Sequence, residues 1–323
     1  MTRKRSPTPV PITLRDRVRG SLLGLAAGDA LGAVIERLAP GTFEPVTDMV
    51  GGGRLGRGAG EWTDDTSMAL CLAESLVESA GFDPVDQMRR YVRWIREGHL
   101  SATGRSAAAG RTTIAAIARF EKTGKLSASM RETKEAGNGS LMRLAPVPLF
   151  YATDPRVAMD RAAESSLVTH HAPAAVDACR YFAGLIVGAL AGAPKQELLA
   201  QRYSPVPEYF DKLPMHDEVD EVACGSFLRR EPPLIESSGY VVRTLEAALW
   251  AFERSVSFAD GCLLAVNLGG DADTTGAVYG QLAGAHYGVH AIPGAWRMQL
   301  ARRGTIEELA DRLYEKGIVQ AVG

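Results

Sequence analysis

Gly20, Gly24, Gly28 and Gly32 sit four residues apart in a stretch that otherwise reads as helix. Thr13-Leu14-Arg15-Asp16 forms a capping box ahead of it, and Val18, Leu22, Leu23 and Leu25 supply apolar residues. At 3.6 residues per turn the glycines fall roughly along one ridge. Each costs a helix interior about 1 kcal/mol, so four of them imply a compensating contact, the close approach of another helix. A membrane dimer face uses similar spacing. It also needs a spanning segment of about 20 apolar residues, and none is present. The longest candidate, Tyr181 to Ala193, is short and carries three glycines. Asp29 lies inside the ridge and Glu36 just beyond it. Either fits a solvated surface, but a carboxylate beside a closely packed ridge is a candidate for more than that.

Helix signals recur along the rest of the chain. Thr66 to Ser79 carries an apolar face of Met68, Cys71, Leu72 and Leu76, ended by Gly81. Asp83-Pro84 opens a helix closed by Gly98, and Thr112 to Phe120 reads as another. Asp154-Pro155 opens one to about Leu167, and Pro173 opens a long one to Ala191. Further helices are expected from Val241 through Phe252, from Phe258 to Leu268 and from Thr274 to Tyr287. Thr305-Ile306-Glu307-Glu308 reads as a capping box for the last, to about Lys316. Residues 203–236, rich in proline and mixed charge, read as a surface excursion, and Pro40 to Gly60 as a glycine-rich loop. No alternating β-branched run appears. The expectation is a single all-α domain over residues 13–323 behind a basic, proline-rich and disordered tail at 1–12 that is not a secretory signal.

The 323 residues are 46% hydrophobic and 23% charged with net charge -2, which suits a globular protein and gives no reason to expect a nucleic-acid partner or a membrane span. Cys71, Cys179, Cys224 and Cys262 show no CxxC spacing and read as reduced core residues, which points to a cytoplasmic location.

Two short motifs stand apart. Gly60-Glu61-Trp62-Thr63-Asp64-Asp65-Thr66 and Gly269-Gly270-Asp271-Ala272-Asp273-Thr274-Thr275-Gly276 are both acidic and hydroxyl-rich, and both lead into a helix. Adjacent carboxylates repel each other unless a cation lies between them, and their oxygens suit Mg²⁺, Mn²⁺ or Ca²⁺. Asp and Thr are also ordinary helix N-caps. Two motifs of matching composition favour a shared metal site. Gly137-Asn138-Gly139-Ser140 is a turn whose free backbone N–H groups suit an anion, although turns of this composition abound. His170-His171 fits a satisfied polar cap or a ligand contact.

With these motifs in order, the sequence resembles the ADP-ribosylglycohydrolases, in particular the bacterial dinitrogenase-reductase-activating type. The matching residues are Gly20 to Gly32, Thr63 to Thr66, Gly137 to Arg143, Thr169-His170, Gly239 to Val242 and Gly270 to Gly276. The resemblance implies an all-helical fold with a dinuclear Mg²⁺ or Mn²⁺ centre bound by Thr63, Asp64, Asp65, Asp271, Asp273 and Thr274. It places Glu36 beside the metals and substrate, so Glu36, Asp64 and Asp65 become the catalytic candidates. Asn138, Gly139 and Ser140 would lie near the diphosphate of ADP-ribose, and His170 and Tyr240 would contact the ADP-ribose. The implied reaction is removal of ADP-ribose from a modified protein side chain, by cleavage of an N-glycosidic bond to arginine through an oxocarbenium-like transition state.

One position departs from the pattern. Where the arginine-specific branch carries an aspartate in a Phe-Asp-x-Gly segment, this chain has Ala108. That leaves an engineered inactive variant, a branch of different linkage specificity that relies on Glu36, or a non-catalytic ADP-ribose binder such as a toxin-immunity protein. A metal-dependent phosphohydrolase would use the same oxygen-rich site, but no basic phosphate clamp is evident.

Overall fold

The glycine ridge meets the helix it requires. The computed structural model describes residues 11–54, 56–106, 109–126, 136–319 and 321. Among them are fifteen α-helices: α1 Leu14–Gly32, α2 Asp64–Glu78, α3 Pro84–Glu97, α4 Arg111–Thr123, α5 Pro146–Phe150, α6 Pro155–Leu167, α7 Pro173–Leu190, α8 Lys195–Leu198, α9 Tyr209–Lys212, α10 Asp217–Ala223, α11 Val241–Arg254, α12 Phe258–Val266, α13 Ala272–Tyr287, α14 Gly294–Gln299 and α15 Arg303–Leu313. The described residues contain no β-sheet, only the isolated bridges Gly52–Arg57 and Gly137–Tyr240. The fold is all-α, as expected. Nearly all the buried apolar side chains form one connected cluster.

At its centre α1 and α13 run antiparallel with their backbones in contact. A Cβ on Gly20 would lie 2.3 Å from the Gly284 carbonyl oxygen, one on Gly24 2.3 Å from that of Gly280, and one on Gly28 1.9 Å from that of Gly276. Gly32 meets Ala272 in the same way, at 2.3 Å. The partner ridge Gly276, Gly280 and Gly284 has the same four-residue spacing. Seven helical glycines cost roughly 7 kcal/mol in propensity. The dense backbone contact and the Ser21 hydroxyl, which donates to the Gln281 carbonyl at 2.9 Å, offset that cost. The antiparallel register also decides where chemistry can occur. It sets the C-terminal end of α1, with Asp29, against the N-terminal end of α13, with Asp273 and Thr274.

Other elements are tied to this pair. The Gln281 amide donates to the carbonyls of Leu141 and Met142 at 3.2 and 2.8 Å, and its Oε1 accepts from the Ala145 amide at 2.7 Å. The segment after Gly137 is thereby fixed to α13. Helix α7 is long and apolar enough to cross a membrane by length and composition, but 83% of it is buried inside the protein, as befits a core helix.

Several boundaries differ from the sequence expectation. Helix α2 starts at Asp64 because Thr63 is its N-cap, and α13 starts at Ala272. Thr305 does not cap the last helix. Its amide already donates to the Arg302 carbonyl at 2.8 Å, and the chain enters α15 through Arg302 in a left-handed conformation with φ 48. That helix ends at Leu313 and passes into a π-helical turn, Tyr314–Val319. Residues 203–236 are not simply a surface excursion, since Tyr209, Phe210, Val219, Val222 and Phe227 are buried. Cys71, Cys179 and Cys262 are buried, Cys224 partly so, and all four are free.

Helix α15 is held to α1 by Asp311, which accepts from Arg15 at 3.0 Å and from Arg19 at 2.7 and 2.6 Å. Burial pushes the Asp311 carboxyl up, but hydrogen bonds from Arg19 and Arg15 outweigh it and draw it down to about 2. A depressed carboxyl contributes stability that is present above its ordinary range, near about 4, and is lost as pH falls through its folded value. In acid titrations followed by circular dichroism, wild type is expected to be more stable than Asp311→Asn near neutrality. The gap should close between about 4 and about 2. A gap that persists unchanged to the acid end would show that the ion pair does not link the helices.

Candidate active site

The site is assembled from three helix ends. Asp29, fully buried on α1, accepts from the Thr63 amide at 2.9 Å, the Thr66 amide at 3.0 Å and the Thr66 hydroxyl at 2.6 Å. The carboxylate satisfies donors that the first turn of α2 would otherwise leave open. It holds Thr63, Asp64 and Asp65 against α13. Asparagine at 29 would turn a donor toward these N–H groups, so Asp29→Asn is expected to lower unfolding stability in urea by about 1–3 kcal/mol. No change in the urea midpoint would contradict this role.

Asp65 accepts from the Thr63 hydroxyl at 2.8 Å through Oδ2, while its buried Oδ1 has no hydrogen-bond partner among the described residues. On α13, Asp273 accepts from the Thr274 amide at 2.9 Å. One oxygen from each of Asp29, Asp65 and Asp273 falls within 4.8 Å of the others. Asp64 and Asp271 open onto the cleft beside them. Glu36 is brought in by a reciprocal backbone pair: the Arg37 amide donates to the Gly270 carbonyl at 2.6 Å, and the Gly270 amide to that of Leu38 at 2.8 Å. Arg37 also pairs with Glu36 at 2.9 Å.

Burial and mutual repulsion act together on these acids. Burial, with Asp29, Asp271 and Glu36 nearby, pushes Asp64 up to about 7. Burial, followed by the neighbouring carboxylates, holds Asp65 and Asp273 well above the ordinary range. Burial likewise raises Asp29 and Asp271. A buried, all-oxygen cluster of carboxylates, with one carboxylate oxygen unpartnered, fits a hard divalent cation. The residues present therefore suit a divalent cation.

Above the cluster lies a cleft of about 770 Å³. Glu36, Asp64, Asp65, Asn138, Gly139, His170, Tyr240, Asp271, Asp273 and Thr274 all line it. Asn138 donates to Asp271 at 2.6 Å and to the Thr244 hydroxyl at 2.9 Å, joining the glycine-rich turn to the acid cluster. The Asn138 amide donates to the Gly239 carbonyl at 3.2 Å and the Val241 amide to that of Ala136 at 2.9 Å, so the two wall segments are stitched together. The Tyr240 hydroxyl donates to Glu218 at 2.9 Å at the cleft mouth. Two expected residues lie behind the lining. Thr63 is the buried cap of α2. The Ser140 hydroxyl lies 2.8 Å from the Ser166 hydroxyl and accepts from the Cys179 thiol at 3.4 Å. Ala108 lies outside the described residues.

The sequence motifs contained two further residues of this site without assigning them a role. Asp29 was visible as an acid in the ridge, but its grip on α2 spans 34 residues. Arg143, fully buried, donates to the Thr169 hydroxyl at 2.7 Å.

Fold and site define a class: an all-α protein whose central helix pair presents a carboxylate cluster, suited to hard cations, at the foot of a ligand cleft. The sequence profile of the ADP-ribosylglycohydrolases matches residues 10–322. The chain is 42% identical over 312 residues to an ADP-ribosylarginine hydrolase of Pseudomonas putida (strain GB-1), covering 97% of this chain and 81% of that protein. It is 31% identical to the ADP-ribosyl-dinitrogen reductase glycohydrolase of Rhodospirillum rubrum, covering 89% and 91% respectively. A solved structure of an "ADP-ribosylglycohydrolase-related protein complex" superposes with a TM-score of 0.83 at 48% identity, over 94% of this chain and 99% of that one. The chain belongs to the ADP-ribosylglycohydrolase family and is an enzyme.

Proposed function

We propose that this enzyme hydrolyses the N-glycosidic bond between ADP-ribose and an arginine side chain of a modified protein, reversing mono-ADP-ribosylation. The observation that carries this reading is the buried carboxylate cluster at the foot of a cleft lined by Asn138, Gly139, His170 and Tyr240. The names of the two curated relatives support it, since both are hydrolases of ADP-ribosyl groups. That favours turnover over a binding-only role.

Thr63, Asp64, Asp65, Asp271, Asp273 and Thr274 would hold two divalent cations, Mg²⁺ or Mn²⁺. Bound there, such ions would supply charge stabilisation and an activated water. The protein's own part is mainly positioning. Gly137 and Gly139 line the wall, where backbone N–H groups suit a diphosphate. Tyr240 offers a ring face to the adenosine side. Asn138, bonded to Asp271, couples the ligand wall to the acids, and Glu36 stands beside the ribose end. In the reaction water adds to ribose C1″ as the C–N bond breaks. The leaving guanidine nitrogen takes up a proton, giving free ADP-ribose and unmodified arginine.

A panel of peptides carrying ADP-ribose on arginine, on serine or on a nucleobase analogue tests this, read by mass spectrometry with Mg²⁺ or Mn²⁺. The expected result is release from arginine well ahead of the others. Release from serine alone would move the enzyme to another linkage. Tight ADP-ribose binding without release from any member, even after Ala108→Asp, would establish the non-catalytic alternative. Release of inorganic phosphate instead would mark a phosphohydrolase.

A further inference from the structure

His170 lies at the cleft wall with its two ring nitrogens in different surroundings. The Nδ1 atom is 2.7 Å from the Thr169 hydroxyl. The Nε2 edge lies against the bare backbone of Gly137 and Gly139, where a Cβ would come within 3.4 and 2.9 Å of Nε2. Both glycines line the cleft. The backbone at His170 is fixed as well: its amide donates to the Ser166 carbonyl at 2.7 Å, and its carbonyl accepts from the Ser166 hydroxyl at 3.0 Å.

Which nitrogen carries the proton follows from Thr169. The Arg143 Nη2 group lies 2.7 Å from the Thr169 hydroxyl oxygen, and a guanidinium can only donate. The hydroxyl therefore accepts from Arg143. It has one hydrogen of its own, and the remaining polar neighbour within bonding distance among the described residues is His170 Nδ1. Pointing it at Nδ1 is the one arrangement in which that hydrogen finds an acceptor among the described residues, and it makes Nδ1 the unprotonated nitrogen of a neutral ring. Neutrality fits the setting. Burial, then the positive charge of Arg143, then His171, pull His170 down to about 3. Arg143 is itself fixed, its guanidinium 4.7 Å from the centre of the Tyr91 ring and fully buried.

We propose that Arg143 and Thr169 are positioning residues that hold His170 as the Nε2–H tautomer, so that the cleft always presents a hydrogen-bond donor to an oxygen of the bound ligand. The identity of that ligand rests on the ADP-ribose reading above; the tautomer does not. Donor and acceptor edges of an imidazole are not interchangeable. A ring free to switch tautomer would leave the ligand oxygen facing a lone pair for part of the time.

The test is long-range ¹H–¹⁵N correlation on the full chain labelled at histidine, with the His170 signals assigned by their loss in His170→Gln. Wild type is expected to show an unprotonated Nδ1 and a protonated Nε2. Thr169→Val, which keeps the shape and removes the hydroxyl, should mix the tautomers and weaken ADP-ribose binding about three- to tenfold in calorimetry. Thr169→Ser should restore both. A wild-type ring protonated at Nδ1 overturns the proposal, as does Thr169→Val with tautomer and affinity unchanged. If Thr169→Val fails to fold, the wild-type spectrum alone decides the tautomer. If wild type has the expected tautomer but binds no ADP-ribose, the relay stands and the ligand reading falls.

Discussion

Asp65→Asn is expected to lower turnover of an ADP-ribosylarginine peptide by about three orders of magnitude, the loss of several kcal/mol of charge stabilisation. It should do so while making the metal-free protein more stable. Asp65 is buried, has one oxygen without a partner, and is held far above its ordinary range by burial and by Asp29, Asp273, Asp64 and Asp271. Removing its charge relieves that repulsion when no cation is present. Thermal melts should therefore show a higher midpoint for Asp65→Asn than for wild type in chelator, and a smaller rise on adding Mg²⁺ or Mn²⁺. A variant that melts lower than wild type in chelator, with an unchanged metal response, would mean that Asp65 is a structural cap and not a ligand.

Gly28→Ala should be among the most damaging single methyl additions at the described glycines. Its Cβ would stand 1.9 Å from the Gly276 carbonyl oxygen and 2.3 Å from the carbonyl carbon, and backbone cannot move aside as a side chain can. Overpacking a core commonly costs about 1–3 kcal/mol, and a clash between two helix backbones belongs at or beyond the upper end. The expected outcome is a loss of more than about 3 kcal/mol in urea unfolding, or no soluble folded protein, with metal-dependent activity lost in parallel. The parallel loss arises because the same contact sets Asp29 against Asp273. Gly304 is the control. It lies in α15 with nothing within 4 Å of its Cβ position, so Gly304→Ala should be neutral or stabilising by up to about 1 kcal/mol. A folded, active Gly28→Ala protein would show that the helices are not in backbone contact.

The ridge was readable in the sequence because glycine inside a helix carries a known cost and so demands a reason. The helix that supplies the reason was not. Gly276, Gly280 and Gly284 have the same spacing, but spacing fixes a face and not its partner, and residues 28 and 276 meet only in the folded chain. The acidic motifs could be paired in advance because Thr63-Asp64-Asp65-Thr66 and Asp271-Ala272-Asp273-Thr274 share a chemistry that needs a cation. The grip of Asp29 on α2 could not, since a lone buried carboxylate has no local signature. Ser140 shows the limit of reading a turn as a unit. Asn138 and Gly139 line the cleft, while Ser140 turns back toward Ser166. At Thr305 a plausible capping sequence lost to the left-handed turn at Arg302, which starts the helix earlier.

The most direct measurement follows ADP-ribosylarginine peptide and both products by mass spectrometry, with wild-type enzyme first stripped by chelator and then supplied with Mg²⁺ or Mn²⁺. The result predicted here is no release from the stripped enzyme. Once the cation is restored, free ADP-ribose and unmodified peptide should appear in equal amounts. Equal release with and without the cation, or binding of ADP-ribose with the peptide left intact, would contradict the assignment of the carboxylate cluster as a hydrolytic metal centre.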